Sequence, residues 1–168
     1  MILLIDTTAE GVGKIVANKI DSSFPQKEYE YIDTTDMKIT NCLGCNYCWL
    51  KTPGECVIQD DYEPLLKKIS KADQVWFISD IKFGFISYQT KNVIDRIMPI
   101  LTMNLHMVGD QMRHIMRYDK NPNWGLIHTG DGDQENLSVW CERVAKNTAS
   151  KSLGAYSIND YKEAIKCM

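Results

Sequence analysis

The sequence contains no apolar run approaching the roughly 18 residues that a membrane-spanning helix needs, which argues against a bilayer location. Its N-terminus, MILLIDTTAEG, has no basic leader, and the apolar run ends at Ile5, too soon for the core of a signal peptide. A cytoplasmic protein is the expectation. There is little excess of either charge: 19 Lys and Arg stand against 22 Asp and Glu, a formal net charge of −3. That balance excludes a strongly basic surface and with it nucleic acid or an anionic membrane as the main partner. No internal repeat, low-complexity tract or Pro/Gly/Ser-rich linker is present, which leaves one domain over 1–168. With 44% hydrophobic and 24% charged residues the composition is that of an ordinary globular chain, so disorder is not expected.

Cysteine is what the sequence has in excess. Six occur, at 42, 45, 48, 56, 141 and 167, and the first four fall within fifteen residues. In a reducing compartment such a cluster points to metal binding or thiol chemistry rather than a disulfide framework.

The remaining pattern alternates strands and helices. Ile2 to Ile5 is a continuous apolar run suited to a strand buried on both faces, and Ile15, Val16 and Ile20 repeat at helical spacing after it. Glu28 to Asp33 reads as a second strand, Val75 to Ile78 as a third, Gly125 to His128 as a fourth and Leu153 to Tyr156 as a last. Helices are expected from about Asp60 to Lys71, Ser87 to Met98 and 134–149, the first opened by Asp60 as cap with Glu63 reaching back. Such alternation predicts a three-layer α/β domain with a parallel sheet, whose ligands bind beyond the C-terminal strand ends. The loops 7–13, 80–86 and 129–133 all lie at that edge.

The first loop, Asp6-Thr7-Thr8-Ala9-Glu10-Gly11-Val12-Gly13-Lys14, fails two sharper motifs. A P-loop needs Ser or Thr after Gly-Lys, where Ile15 stands, and a dinucleotide fingerprint needs a third small residue where Val16 stands. What remains is a short anion cup of hydroxyls, glycines and amides at a helix N-terminus. It resembles the mononucleotide loop of flavodoxin-like proteins, although that loop usually ends in Thr where this chain has Gly13.

The cysteine spacing is C-x2-C-x2-C-x7-C over Cys42, Cys45, Cys48 and Cys56. Four thiolates can complete a [4Fe–4S] cluster, and this triplet plus one suits it better than the paired C-x2-C pattern of structural zinc; a reduced thiol group is the third option. The stretch CLGCNYCWLKTPGECVIQDDYEPL resembles the signature of iron–sulfur flavoproteins and of the NADPH-dependent FMN reductase group of the flavodoxin-like superfamily. FGFISYQTKNVIDRIMPIL is similar to a segment of that group in which a loop reaches the flavin and a helix carries Lys91, Asp95 and Arg96. The resemblance implies a flavodoxin-like sandwich with a five-stranded parallel sheet in the order 2-1-3-4-5. It further implies FMN held at Thr7, Thr8, Gly11, Val12 and Gly13, and flanked by Phe83, Gly84, Phe85, Ile86, Ser87, Thr129, Gly130 and Asp131. The group's P-x-Y loop is replaced by Asp80-Ile81-Lys82-Phe83-Gly84-Phe85, so Phe83 or Phe85 takes over packing on the ring. The implied activity is electron transfer from NAD(P)H or a ferredoxin-like donor to a small acceptor. The alternatives are a non-enzymatic electron carrier and a metal-binding or interaction module with a decayed flavin site.

Other groups read as structural. His106, His114 and His128 have no ligand spacing; Asp61, Lys67, Lys68 and Lys71 read as solvated, Cys141 as core and Cys167 as a tail thiol. Five of the eight methionines, at 98, 103, 107, 112 and 116, crowd one stretch, where an adaptable apolar contact surface is expected, and group members commonly dimerise.

Overall fold

The computed structural model describes residues 1–168. In chain order its elements are β1 (Ile2–Asp6), α1 (Gly13–Ser23), β2 (Tyr29–Asp33), α2 (Tyr47–Leu50), α3 (Tyr62–Ile69), β3 (Gln74–Lys82), β4 (Phe85–Ile86) and α4 (Tyr88–Asp95). They continue with β5 (Leu101–Val108), β6 (Gln111–Met116), β7 (Asn123–Thr129), α5 (Gln134–Asn147), β8 (Ser152–Ser157) and α6 (Tyr161–Cys167).

Five parallel strands form the sheet in the order β2-β1-β3-β7-β8, the expected 2-1-3-4-5 once the inserted strands are set aside. Each side of the sheet meets a helical layer because consecutive residues of a strand point to opposite faces. Leu3, Ile5, Val75, Phe77, Trp124 and Leu126 join side chains of α3, α4 and α5 in one core. Ile2, Leu4, Trp76, Ile78 and Ile127 join α1 and α6 in the other. A Cβ at Gly125 would overlap the Trp76 ring, so this strand position accepts only glycine.

Five features depart from the expectation. The third strand runs on to Lys82 and turns through Phe83-Gly84 into the short antiparallel β4, so residues 80–82 are strand and not loop. The methionine-rich stretch forms an antiparallel hairpin, β5–β6, whose side chains Met103, Leu105, Met107, Val108, Met112 and Ile115 are exposed. The chain also ends in a helix, α6, which carries Cys167 and covers the second core. Helix α3 begins at Tyr62, and Glu63 pairs with Lys67 at 2.6 Å instead of reaching back to the helix start. Lys68 pairs with Glu30 of β2, so it is not simply solvated. No helix is long and apolar enough to cross a membrane.

Candidate functional site: a sheet edge and a four-cysteine cavity

The C-terminal ends of β1, β3 and β7 bring the three expected loops together. Beneath them lies a buried hydroxyl network. Thr7 Oγ1 donates to the Ile78 carbonyl at 2.9 Å and lies 2.6 Å from Thr90 Oγ1, which donates to Ser79 Oγ at 2.6 Å. Ser87 caps α4 from within the same network. Thr7 and Ser87 are thus framework, their hydroxyls already paired.

The first loop is closed by carboxylates. Asp6 is wholly buried; its Oδ1 accepts from the Thr8 amide at 3.0 Å and the Thr8 hydroxyl at 2.7 Å. Its Oδ2 accepts from the Gly13 amide and from the Tyr31 hydroxyl, each at 2.7 Å. Burial, and then the bond to Asp6, raise the Tyr31 phenol well above its ordinary value. Asp80 adds a second closure, accepting from the Ala9 amide at 3.0 Å and the Thr129 hydroxyl at 2.8 Å. The Val12 amide donates to Thr8 Oγ1, so of residues 7–14 only the amides of Glu10 and Gly11 lack an internal acceptor. A flavin phosphate at this loop needs free donors, and the observed arrangement fits it poorly: Asp6 holds the Thr8 and Gly13 amides and the Thr8 hydroxyl, Asp80 holds the Ala9 amide, and only Glu10 and Gly11 remain. Neither Asp6 nor Asp80 was among the expected site residues. The only available signal was a pair of acids at the ends of two apolar strand runs.

The ring-side residues fare differently. Phe83 is fully exposed and has φ 54°, a left-handed backbone that a bulky residue adopts only under strain. Gly84 follows with φ 75°. Phe85 packs edge-on to Trp140, with centroids 5.9 Å apart, and Ile86 is buried. Gly130 and Asp131 form an exposed turn beyond β7. Thr7, Thr8 and Ala9 also border a cleft of about 440 Å³ with Thr34, Thr35, Met37, Lys38, Ile39, Tyr88, Gln89 and Asn92.

Cys42, Cys45, Cys48 and Cys56 all border one apolar cavity of about 550 Å³, together with Arg96, Met98 and Trp140. No three of them converge as ligands of a single metal ion do. They are near enough to act on one another: burial first, then the neighbouring cysteines Cys56, Cys42 and Cys45, raise the Cys48 thiol. An iron–sulfur cluster has thiolates spread around its own body, and four thiols bordering a cavity fit that donor set. Trp140 borders this cavity and also packs on Phe85, which sets the cavity beside the sheet edge.

Arg96 anchors the cysteine segment. It is buried, donates from Nη1 to Asp60 Oδ2 at 2.6 Å and to the Thr40 carbonyl at 3.1 Å, and from Nη2 to Cys56 Sγ at 3.4 Å. Its guanidinium lies over the Tyr62 ring at 4.4 Å. Burial alone raises the Asp60 carboxyl, yet the hydrogen bonds from Arg96, Thr40 and Tyr62 outweigh it and bring it to about 2. Asp60 does cap the start of α3, through the Tyr62 amide at 3.1 Å, while ion pairing occupies its other oxygen. On the far side, Trp49 Nε1 donates to the Met98 carbonyl at 2.9 Å and its ring tilts over His114 at 4.9 Å, tying α2 to the hairpin.

Comparison with known proteins bears on this pairing of a thiol cavity with a flavodoxin-like edge. No family model matches the chain. Over 87 residues it is 37% identical to an iron–sulfur flavoprotein of Methanocaldococcus jannaschii, covering 52% of this chain and 41% of that protein. Over 119 residues it is 35% identical to an iron–sulfur flavoprotein of Archaeoglobus fulgidus, covering 71% and 48%. Over these stretches the chain is similar to iron–sulfur flavoproteins. It spans less than half the length of these two relatives. An FMN-dependent NADH-azoreductase of Bacillus anthracis in complex with FMN superposes with TM-score 0.63 at 12% identity, covering 98% of this chain and 96% of that one. Megasphaera elsdenii flavodoxin does so with TM-score 0.57 at 13% identity, covering 99% and 97%. These structures share the fold.

Proposed function

We propose that this chain is a flavin-dependent oxidoreductase that moves electrons between the sheet edge and the four-cysteine cavity. The observation that carries the reading is the common cavity bordered by Cys42, Cys45, Cys48 and Cys56, one wall of which, Trp140, packs on Phe85 at the edge where flavodoxin-like proteins hold their cofactor. The names of the relatives support it. The four cysteines are the residues that hold a [4Fe–4S] cluster in this reading. Phe83, Gly84 and Phe85 on one side and Thr129, Gly130 and Asp131 on the other flank the isoalloxazine, with Thr8, Gly11, Val12 and Gly13 at the opposite end of the flavin. A flavin joined to a cluster supplies exchange between two-electron and one-electron carriers.

The chain's own residues bind and position. Arg96 donates to Cys56 Sγ and so fixes that thiol at the cavity wall. Thr7, Ser79, Ser87 and Thr90 fix the edge from below, and Phe83 presents an unpacked aromatic face. The donor is NAD(P)H or a ferredoxin-like protein, and the acceptor a small molecule. All six cysteines are unpaired, which agrees with a reducing cytoplasm, and the exposed methionine hairpin is the contact surface of a homodimer. An absorption spectrum of anaerobically purified protein, with iron and sulfide counts, tests the reading: flavin bands plus about four irons per chain are expected. Protein that is colourless and binds no added flavin overturns it. A second reading is favoured by the carboxylates in the first loop: a metal-binding module whose flavin site has closed. Iron and sulfide, or zinc, without flavin under any addition selects it.

A further inference from the structure

We infer that Asp6 acts as a built-in replacement for a cofactor phosphate, so that this chain selects a flavin lacking its phosphate, riboflavin, over FMN. The inference rests on the flavin reading above and sharpens its cofactor class.

The first loop has the geometry of an anion cup, and the cup is filled from within. One carboxylate accepts four hydrogen bonds, from the amides of Thr8 and Gly13 and the hydroxyls of Thr8 and Tyr31. These are donors of the kind a phosphate requires. Asp6 has no exposed surface, so the carboxylate is part of the packed edge and not a swinging surface acid. Gly13 fits the same arrangement: a Cβ there would lie 2.6 Å from Asp6 Oδ2 and 2.7 Å from Ile78 Cδ1. The residue that opens α1 is therefore one that leaves room for the carboxylate. Around the cup the charge opposes a dianion. Asp33 lies beside Gly11, Asp80 holds the Ala9 amide and Glu10 is exposed. The one lysine of the loop, Lys14, faces Asp33 at 3.8 Å.

The adjoining cleft has the opposite character. Gln89 offers a neutral amide; the Thr34 and Thr35 hydroxyls donate to the Asp6 carbonyl and to Asp33, and the Asn92 amide to the Ile39 carbonyl, so these three add neutral acceptor oxygens; Tyr88 adds an exposed ring, and Lys38 the only formal charge. That lining suits the polyhydroxyl chain and aromatic ring of a neutral flavin. A phosphate reaching the cup must either displace Asp6 from four donors or sit against its charge, and either route penalises FMN relative to riboflavin.

The test is a fluorescence-quenching titration of the full chain with riboflavin and with FMN, for the wild type, Asp6→Ser and Asp6→Asn. The wild type is expected to bind riboflavin at least as tightly as FMN. Asp6→Ser, which empties the cup, is expected to improve FMN binding about tenfold or more and leave riboflavin within about threefold. Asp6→Asn keeps the size and removes the charge, so it reports if the serine variant does not fold, and a shift toward FMN is again expected. Wild-type protein that binds FMN tenfold tighter than riboflavin, or folded variants with an unchanged FMN-to-riboflavin ratio, overturn the inference. If the wild type binds neither flavin, the flavin reading of the function fails and the inference falls with it, whereas wild-type preference for FMN overturns the inference alone.

Discussion

Single residues set the stability of this site, and they do so in opposing directions. Phe83 adopts a left-handed backbone with its ring in solvent, a combination that folding alone does not favour. Phe83→Gly relieves that strain and is expected to raise stability by about 1 kcal/mol in a denaturant titration, while weakening flavin binding. Arg96 behaves in the opposite way. Arg96→Met leaves Asp60 buried without its partner and is expected to cost about 3–5 kcal/mol in the same measurement. The pair also fixes a pH dependence. Asp60 titrates at about 2 in the folded chain, below the roughly 3.9 of an unfolded one, so its contribution is complete above about pH 4. It declines as pH falls from about 4 to 2, and a Tm profile across that window should lose about 2 kcal/mol more in the wild type than in Asp60→Asn. Residue chemistry was only partly legible beforehand. The apolar run Val75 to Ile78 announces a buried strand by itself, whereas Asp6 and Asp80 acquire their roles from partners at positions 8, 13, 31, 9 and 129 that only the fold assembles.

At the scale of elements, local pattern and tertiary context divide the outcome. The central strands β1, β3 and β7 were readable because they are buried on both faces and hence largely apolar, whereas the edge strands β2 and β8 are half-buried and mixed in composition. The hairpin β5–β6 has no such buried run to announce it: Leu101 to Met107 does alternate apolar with polar residues, but both strands lie largely in solvent. The cysteine segment has no periodicity and is held by side chains instead: Arg96 through Asp60 and Thr40, and Trp49 through Met98 and His114. Trp49→Ala is expected to speed hydrogen exchange of the amides at 47–52 at least tenfold, with the amides of β1 and β3 unchanged. Equal loss of protection in the sheet would mean that the segment and the sheet open as one unit.

For the whole molecule, the exposed apolar side chains on the hairpin are the largest departure from a self-sufficient surface. A paired lysine substitution, Met107→Lys with Met112→Lys, is expected to convert a dimer to a monomer in sedimentation velocity at micromolar concentration while leaving the circular dichroism spectrum intact. Wild-type protein sedimenting as a monomer at about 100 μM would remove the homodimer from the proposal. The parallel three-layer fold and its edge followed from alternation of elements, and the strand order from the resemblance to flavodoxin-like proteins; which edge donors remain free did not, since that is decided by carboxylates rather than by topology.

Trp49 has a further consequence. It directly follows Cys48, and its indole rests on the hairpin, whereas Trp76 and Trp124 are sealed in the two cores and Trp140 lines the cavity. The molecule therefore carries an intrinsic optical gauge at the thiol segment. With Trp140 replaced by Phe, emission from Trp49 should follow oxidation or metal loading of the four cysteines in real time, against a steady background from the cores.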